Sequence, residues 1–87
     1  MAAFFTQLIG ETVLYEQDIV NDSITNAVWS VDQPGATLGS PITTTTNSQV
    51  TFSSTVVGNY VLTVTLTLLS GQVLEGQARI NVIAVRV

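Results

Sequence analysis

The pattern of apolar residues predicts an all-β domain, a sandwich of six to seven antiparallel strands. Three observations carry this reading. Residues Tyr60 to Leu68 alternate strictly, with Tyr60, Leu62, Val64, Leu66 and Leu68 on one face and Val61, Thr63, Thr65 and Thr67 on the other. That is the period of a strand with one buried face. Clusters of turn-forming residues recur between the apolar runs, and no segment carries the helical period. The β-branched content of the longest run would also make a poor helix.

Each element follows from its own residues. Phe4 to Ile9 reads as an N-terminal arm or edge strand within residues 1–10. Glu11 to Ile19 carries Val13, Leu14, Tyr15 and Ile19 around Glu16 and Asp18, and Asn21-Asp22-Ser23 closes it as a turn. Ile24 to Val31 follows, with Ala27, Trp29 and Val31 on one side and Val28 and Ser30 on the other. Asp32-Gln33-Pro34-Gly35 is a turn because Pro presets φ and Gly accepts the left-handed region. Gly39-Ser40-Pro41 and the threonine run from Thr43 to Thr46 read as a polar edge strand or loop. Ser48 to Ser54 alternates again, pointing Val50 and Phe52 inward. The long Tyr60–Leu68 run turns at Leu69-Ser70-Gly71-Gln72 and returns through Val73, Leu74 and then Ala78 to Val85, a hairpin.

The 87 residues make one domain, 1–87, with no internal repeat or linker. At 46% hydrophobic and a mean hydropathy of +0.47, the chain has enough apolar content to fold. Charged residues are only 9%, and six acids against Arg79 and Arg86 leave a net charge of −4. Thr, Ser, Asn and Gln fill 31 positions, so hydroxyls and amides take the place that charges usually hold on a surface. Two settings tolerate such a surface: a harsh medium, or life inside an assembly. Lacking Lys and any basic cluster, the chain is not expected to bind nucleic acid. No apolar run approaches the roughly 20 residues of a membrane helix, so no membrane partner is expected. No basic residue precedes the apolar start. A secretory signal is therefore not expected, and the chain reads as complete and made in a cytoplasm.

Chemistry has few carriers here. Without His or Cys, the usual general base, thiolate nucleophile and zinc ligands are missing. Glu16 and Asp18 could in principle act as a carboxylate pair on a sugar, but they read as a solvated strand face. Asp18, Asn21 and Asp22 are oxygen ligands of the kind calcium takes, yet turn residues have the same composition. Hydroxyl nucleophiles lack a base. Thr63, Thr65 and Thr67 form an array that could order water; solvent-facing Thr on an antiparallel strand is the plainer reading. The sequence therefore points to no enzyme, no cofactor and no metal. The ends are informative in another way. Phe4 and Phe5 at one terminus, and Val85 and Val87 at the other, are too apolar for idle tails. They are expected either to pair within the domain or to contact a partner.

The residue order resembles immunoglobulin-like sandwiches. Trp29 sits centrally on an early strand, and Gly58-Asn59-Tyr60 opens the strong later one. In that family a buried Trp faces a disulfide between the sheets, and a Tyr two residues before the second Cys forms a tyrosine corner. By this resemblance Tyr60 is the corner residue and Leu62 takes the second Cys position. Leu14 or its neighbour takes the first, and Trp29, able to bury on the order of 200 Å², is the centre of the core. Residues Ile24 to Val85 also look like a polycystic-kidney-disease repeat, although the Cys pair and an Asp-Phe-Gly segment after Trp29 are lacking. A stand-alone domain of this type resembles the small proteins that decorate or cement the heads of tailed bacteriophages. The resemblance implies a structural virion protein, synthesised in the host cytoplasm and bound to the capsid lattice. Its expected partners are the major capsid protein or other virion proteins, with self-association inside the assembly. The alternative is a binding module of a phage tail or bacterial surface protein that recognises carbohydrate or host protein.

Overall fold

A computed structural model describes residues 3–84. Eight strands follow one another: β1 (Ala3–Leu8), β2 (Val13–Asp18), β3 (Ile24–Val31), β4 (Ala36–Leu38), β5 (Ile42–Thr43), β6 (Asn47–Ser54), β7 (Gly58–Leu68) and β8 (Val73–Ile83). No helix forms among the described residues. One sheet has the order β1-β8-β7-β3; the other has β2-β6-β4, with β5 also on β6.

The strand count exceeds the expected six to seven because the polar stretch after Gly35 forms two short strands. β4 and β5 both pair with β6, Leu38 opposite Phe52 and Ile42 opposite Gln49. Between them Pro41 has no N–H to give the ladder. Gly39 keeps the edge close, donating its N–H to the Thr51 carbonyl at 3.0 Å. A Cβ at Gly39 would collide with Thr51 Oγ1. Gly35, at φ +106°, turns the chain from the first sheet into the second.

The β7–β8 hairpin is the longest element, with Thr67 opposite Val73 at the turn and Gly58 opposite Val82 at the far end. Alternation puts Tyr60, Leu62, Val64, Leu66 and Leu68 inside. On β8, Ile80 and Val82 are buried with them. Every pairing is antiparallel except that of β1, which runs parallel to β8 from Ala3 opposite Ala78 to Leu8 opposite Ile83. The N-terminal run is thus an edge strand of the first sheet.

Two apolar clusters fill the space between the sheets. The larger joins Tyr15, Val50 and Phe52 of the second sheet to Tyr60, Leu62, Ile80 and Val82 of the first. The smaller holds Ile24, Val64, Leu66 and Leu68, with Ile19 and Ala27 against it. Trp29 packs on both and is only partly buried. It does not occupy the centre of the core, because β3 is an edge strand and places the indole at the sheet's rim.

Leu14 departs from expectation outright. It is 52% exposed, and its neighbour Tyr15 is the residue in the core with Leu62. The register of β2 on β6 decides this: Tyr15 is opposite the inward Val50, which leaves Leu14 beside the outward Thr51. A shift of one residue would exchange the two faces.

Polar groups close the core. Gln7 is 1% exposed. Its Nε2 donates to the carbonyls of Glu11 (2.6 Å) and Phe52 (3.0 Å), and its Oε1 accepts from the Tyr15 hydroxyl at 2.9 Å. Trp29 Nε1 donates to Ser48 Oγ at 2.9 Å. Among the described residues no buried side-chain N or O lacks a partner.

Two stability measurements check this packing. Leu62→Ala should cost about 2–5 kcal/mol in denaturant melts, from lost burial and the cavity left behind. A loss below about 1 kcal/mol would contradict the buried position. Gln7→Leu keeps the volume but strands the Tyr15 hydroxyl and the Phe52 carbonyl, and should cost about 1–3 kcal/mol.

Candidate interaction surface

The residues singled out for chemistry do not converge. Glu16 and Asp18 lie on the outer face of β2, where each accepts a hydrogen bond from a neutral cross-strand neighbour. Gln49 Nε2 is 3.1 Å from Glu16 Oε2, and Asn47 Nδ2 is 2.6 Å from Asp18 Oδ1. In the following turn Asp22 accepts from Ser70 Oγ at 2.6 Å and from the Ser23 N–H at 2.8 Å. Those two bonds, the one from Ser70 foremost, hold its carboxyl below the usual range. Asp22 thereby ties the β2–β3 turn to the β7–β8 turn, and Asn21 beside it takes a positive φ of 64°. Among the described residues no group of three acidic, His or Cys side chains is placed to hold a metal ion.

The threonine array occupies the outer face of the first sheet. Thr63, Thr65 and Thr67 stand between Ser30, Val28 and Asn26 on β3 and Gln77, Glu75 and Val73 on β8. The rows flanking the threonines are mixed in size and polarity, so the array is one threonine wide.

Tyr60 makes a specific corner. Its hydroxyl donates to the Val56 carbonyl at 2.7 Å, four residues upstream, and lies 2.8 Å from Ser54 Oγ. The Ser54 hydroxyl also accepts from the Val56 N–H at 3.1 Å. The loop after β6 is therefore tied to both sheets.

What the surface offers instead is apolar area. Phe4 is 78% exposed on the outer side of β1, next to Arg79. Phe5 turns the other way and packs edge-on against Tyr15, ring centres 5.2 Å apart, while keeping part of its ring in solvent. The other two expected contact residues, Val85 and Val87, lie outside the described residues. The long axis of the molecule measures 49 Å, against 23 and 20 Å across. At the end formed by the hairpin turn, Val20, Leu69 and Val73 are exposed; at the opposite end Val56 and Val57 are.

A furrow runs along one flank beside β8. Its lower part, about 540 Å³, lies between the β2–β3 turn and Leu66, Leu68 and Leu74 of the hairpin. Its upper part, about 300 Å³, continues past Gln17 and Gly76 to Phe5 and Val13.

No family model and no curated protein matches this chain.

Two of these features were missed in the sequence. Gln7 shares the parity of Phe5 and Ile9, which marks it as inward-facing, and an inward amide signals a buried polar bond. The furrow had no local signal, because its two banks come from segments far apart in the chain.

Tyr15 supplies the test of the interior. Burial pushes its hydroxyl above the ordinary value of 10.0, and the nearby Glu11 carboxylate adds to the effect. A raised folded-state value means the native protein keeps the proton that the unfolded chain gives up. Stability from this group is thus full below about pH 10 and lost as pH climbs through the folded value. Alkaline denaturation should steepen above pH 10, and Tyr15→Phe should flatten that limb while lowering stability at neutral pH.

Proposed function

We propose that this chain is an immunoglobulin-like structural module that coats the capsid lattice of a tailed bacteriophage in many copies. For the fold, the support is an order in which the last strand pairs with the seventh, the seventh with the third, and the second with the sixth. That grouping parallels the G-F-C and B-E-D sets of immunoglobulin domains, and the Tyr60 hydroxyl bond to Val56 parallels their tyrosine corner. On this reading Tyr15 and Leu62, which share the larger core cluster, take the places of the two cysteines.

For the role, the carrying observation is the balance of apolar side chains. Among the described residues twelve large hydrophobic side chains are exposed, against eleven hydrophobic residues in the core. Scattered exposed apolar residues are ordinary, but a chain with 9% charge has little else to keep copies apart. Exposed apolar groups at both ends and on β1 suit a protein that spends its life covered. An end face 23 by 20 Å is small, below the area of a stable two-body interface of about 800 Å² per partner. Attachment through repetition, with each copy touching several neighbours, overcomes that limit. The partner is the major capsid protein or its neighbours on the shell, and the location is the virion. No helix among the described residues is long and apolar enough to cross a membrane.

Quantitative gels of purified particles test this reading. The expected copy number scales with the capsid subunits, and stripped heads should rebind the protein. Phe4→Ser and Leu69→Ser should reduce retention on heads while leaving the melting temperature within a degree or two of the parent's, about the effect of an ordinary surface substitution. A few copies at the tail tip would favour a receptor-binding module instead, and absence from the particle would end the proposal.

A further inference from the structure

We infer that the furrow beside β8 captures an extended segment of a partner protein, one that alternates apolar with basic residues and adds as a strand to the open edge of the first sheet. The inference goes beyond the capsid reading and names the partner chemistry of one surface.

Among the described residues β8 outruns its neighbour β1, which leaves an open edge. β8 has eleven residues, and β1 covers it only from Ala78 to Ile83. Among the described residues no strand pairs with Val73–Gln77 on that side. The direction of the free backbone groups follows from the ladder. Leu68 N–H donates to the Gln72 carbonyl at 2.9 Å, so even-numbered residues of β8 face β7. The Ile83 carbonyl accepts from the Ile9 N–H at 2.8 Å, so odd-numbered residues face the other way. Val73 and Glu75 therefore aim their N–H and C=O groups at the furrow's side, and Gln77 its N–H, the Gln77 carbonyl being taken up by the ladder to β1 that starts at Ala3. An unpaired edge of this kind is a template for strand addition.

Beneath the edge the furrow has an apolar lining for alternate side chains. Leu66 and Leu68 form a buried floor, and Leu74 and Val20 stand exposed above it, the latter 81% exposed. At Gly76, where the two parts of the furrow meet, the Gln17 amide fills the place of a side chain, its Oε1 2.7 Å from where a Cβ would stand.

Charge chooses among occupants. Of the six acids in the chain, Asp18, Asp22 and Glu75 border the lower furrow and Glu16 the upper, with Glu16, Asp18 and Glu75 on the outer faces that flank its mouth. Each accepts its hydrogen bond from an uncharged donor. A cleft with one sign of charge on both banks attracts the opposite sign. A second copy fits poorly. An antiparallel pairing of two Val73–Gln77 edges would set Glu75 against its own mate, and like charges directly opposite are destabilising. The chain has no Lys, and its two arginines, Arg79 and Arg86, fall outside Val73–Gln77. An extended segment rich in Lys or Arg, with apolar residues at alternate positions, meets both the floor and the banks.

The test uses short synthetic peptides and the isolated full chain labelled for NMR. The probe alternates valine and lysine; its controls alternate valine and glutamate, or carry the first composition with the valines and lysines in separate blocks. The alternating basic peptide should shift the amides of Val73–Gln77 and slow hydrogen exchange at Val73, Glu75 and Gln77. It should bind about tenfold more tightly than either control and weaken as salt rises. The double variant Asp18→Asn, Glu75→Gln should lose most of that preference. Val73→Pro removes only an outward N–H, a position where an edge strand tolerates Pro, and should abolish binding with the rest of the spectrum unchanged. Equal binding of all peptides, binding mapped to β2 or β3, no binding, or a dimer of the chain through Val73–Gln77 would each overturn the inference. Because particle copy number is measured on different material, this inference and the capsid reading can fail separately.

Discussion

Three aromatic side chains hydrogen-bond from one sheet to the other and stitch a core that has no covalent staple. The Tyr15 hydroxyl reaches from β2 to Gln7 on β1, the Trp29 indole from β3 to Ser48 on β6, and Ser54 on β6 meets the Tyr60 hydroxyl on β7. In each case an aromatic ring spans the apolar layer and its polar tip, or the group that meets it, lies on the opposite sheet. The rings add directional packing of their own. Phe5, Tyr15, Phe52 and Tyr60 form a run of edge-to-face contacts, with ring centres 5.2, 6.0 and 5.6 Å apart. A small domain without disulfides has little surplus of burial over chain entropy. Bonds made in a low-dielectric interior are costly to leave unmade, so they also select this register over its neighbours.

The two sheets are unequal, and the exposed features follow from that. β2 and β6 lie over only part of the hairpin, Val13 opposite Phe52 at one limit and Asp18 opposite Asn47 at the other. The remainder of β7 is covered by Ile24 and by the β2–β3 turn with Ile19. One end of the molecule is therefore thin, its hairpin turn carries exposed Leu69 and Val73, and a furrow opens along β8. The same geometry gathers four of the six carboxylates along one flank, so a chain that reads as nearly uncharged has a sided electrostatic surface. Apolar ends and an acidic flank are different kinds of contact. The first is the surface proposed to pack against a shell, the second the one proposed to recognise an extended segment.

Much of this was legible in the residues. Strict alternation set both faces of Tyr60–Leu68, and Gly71 with its neighbours marked the return of the hairpin. Val50 and Phe52 faced inward as their spacing required, because side-chain direction in a strand is a local property with a period of two. Tyr60 was marked as a corner by resemblance, and the bond to Val56 is local enough to be formed by four residues of chain.

Tertiary structure decided what alternation leaves open. Leu14 and Tyr15 are adjacent and both apolar, so only pairing with β6 determined which one entered the core. Size and the resemblance both point to Trp29 as the centre, yet the edge position of β3 sets it at the rim between two clusters. The parallel seating of β1, the burial of Gln7 and, among the described residues, the unpaired edge at Val73–Gln77 depend on which chain segments meet in space. Local pattern records the face a side chain points to, but not the neighbour it finds there. By itself the sequence determined an all-β chain with a known set of inward faces; the assembly of those faces into two unequal sheets created the stitched core and the acidic furrow.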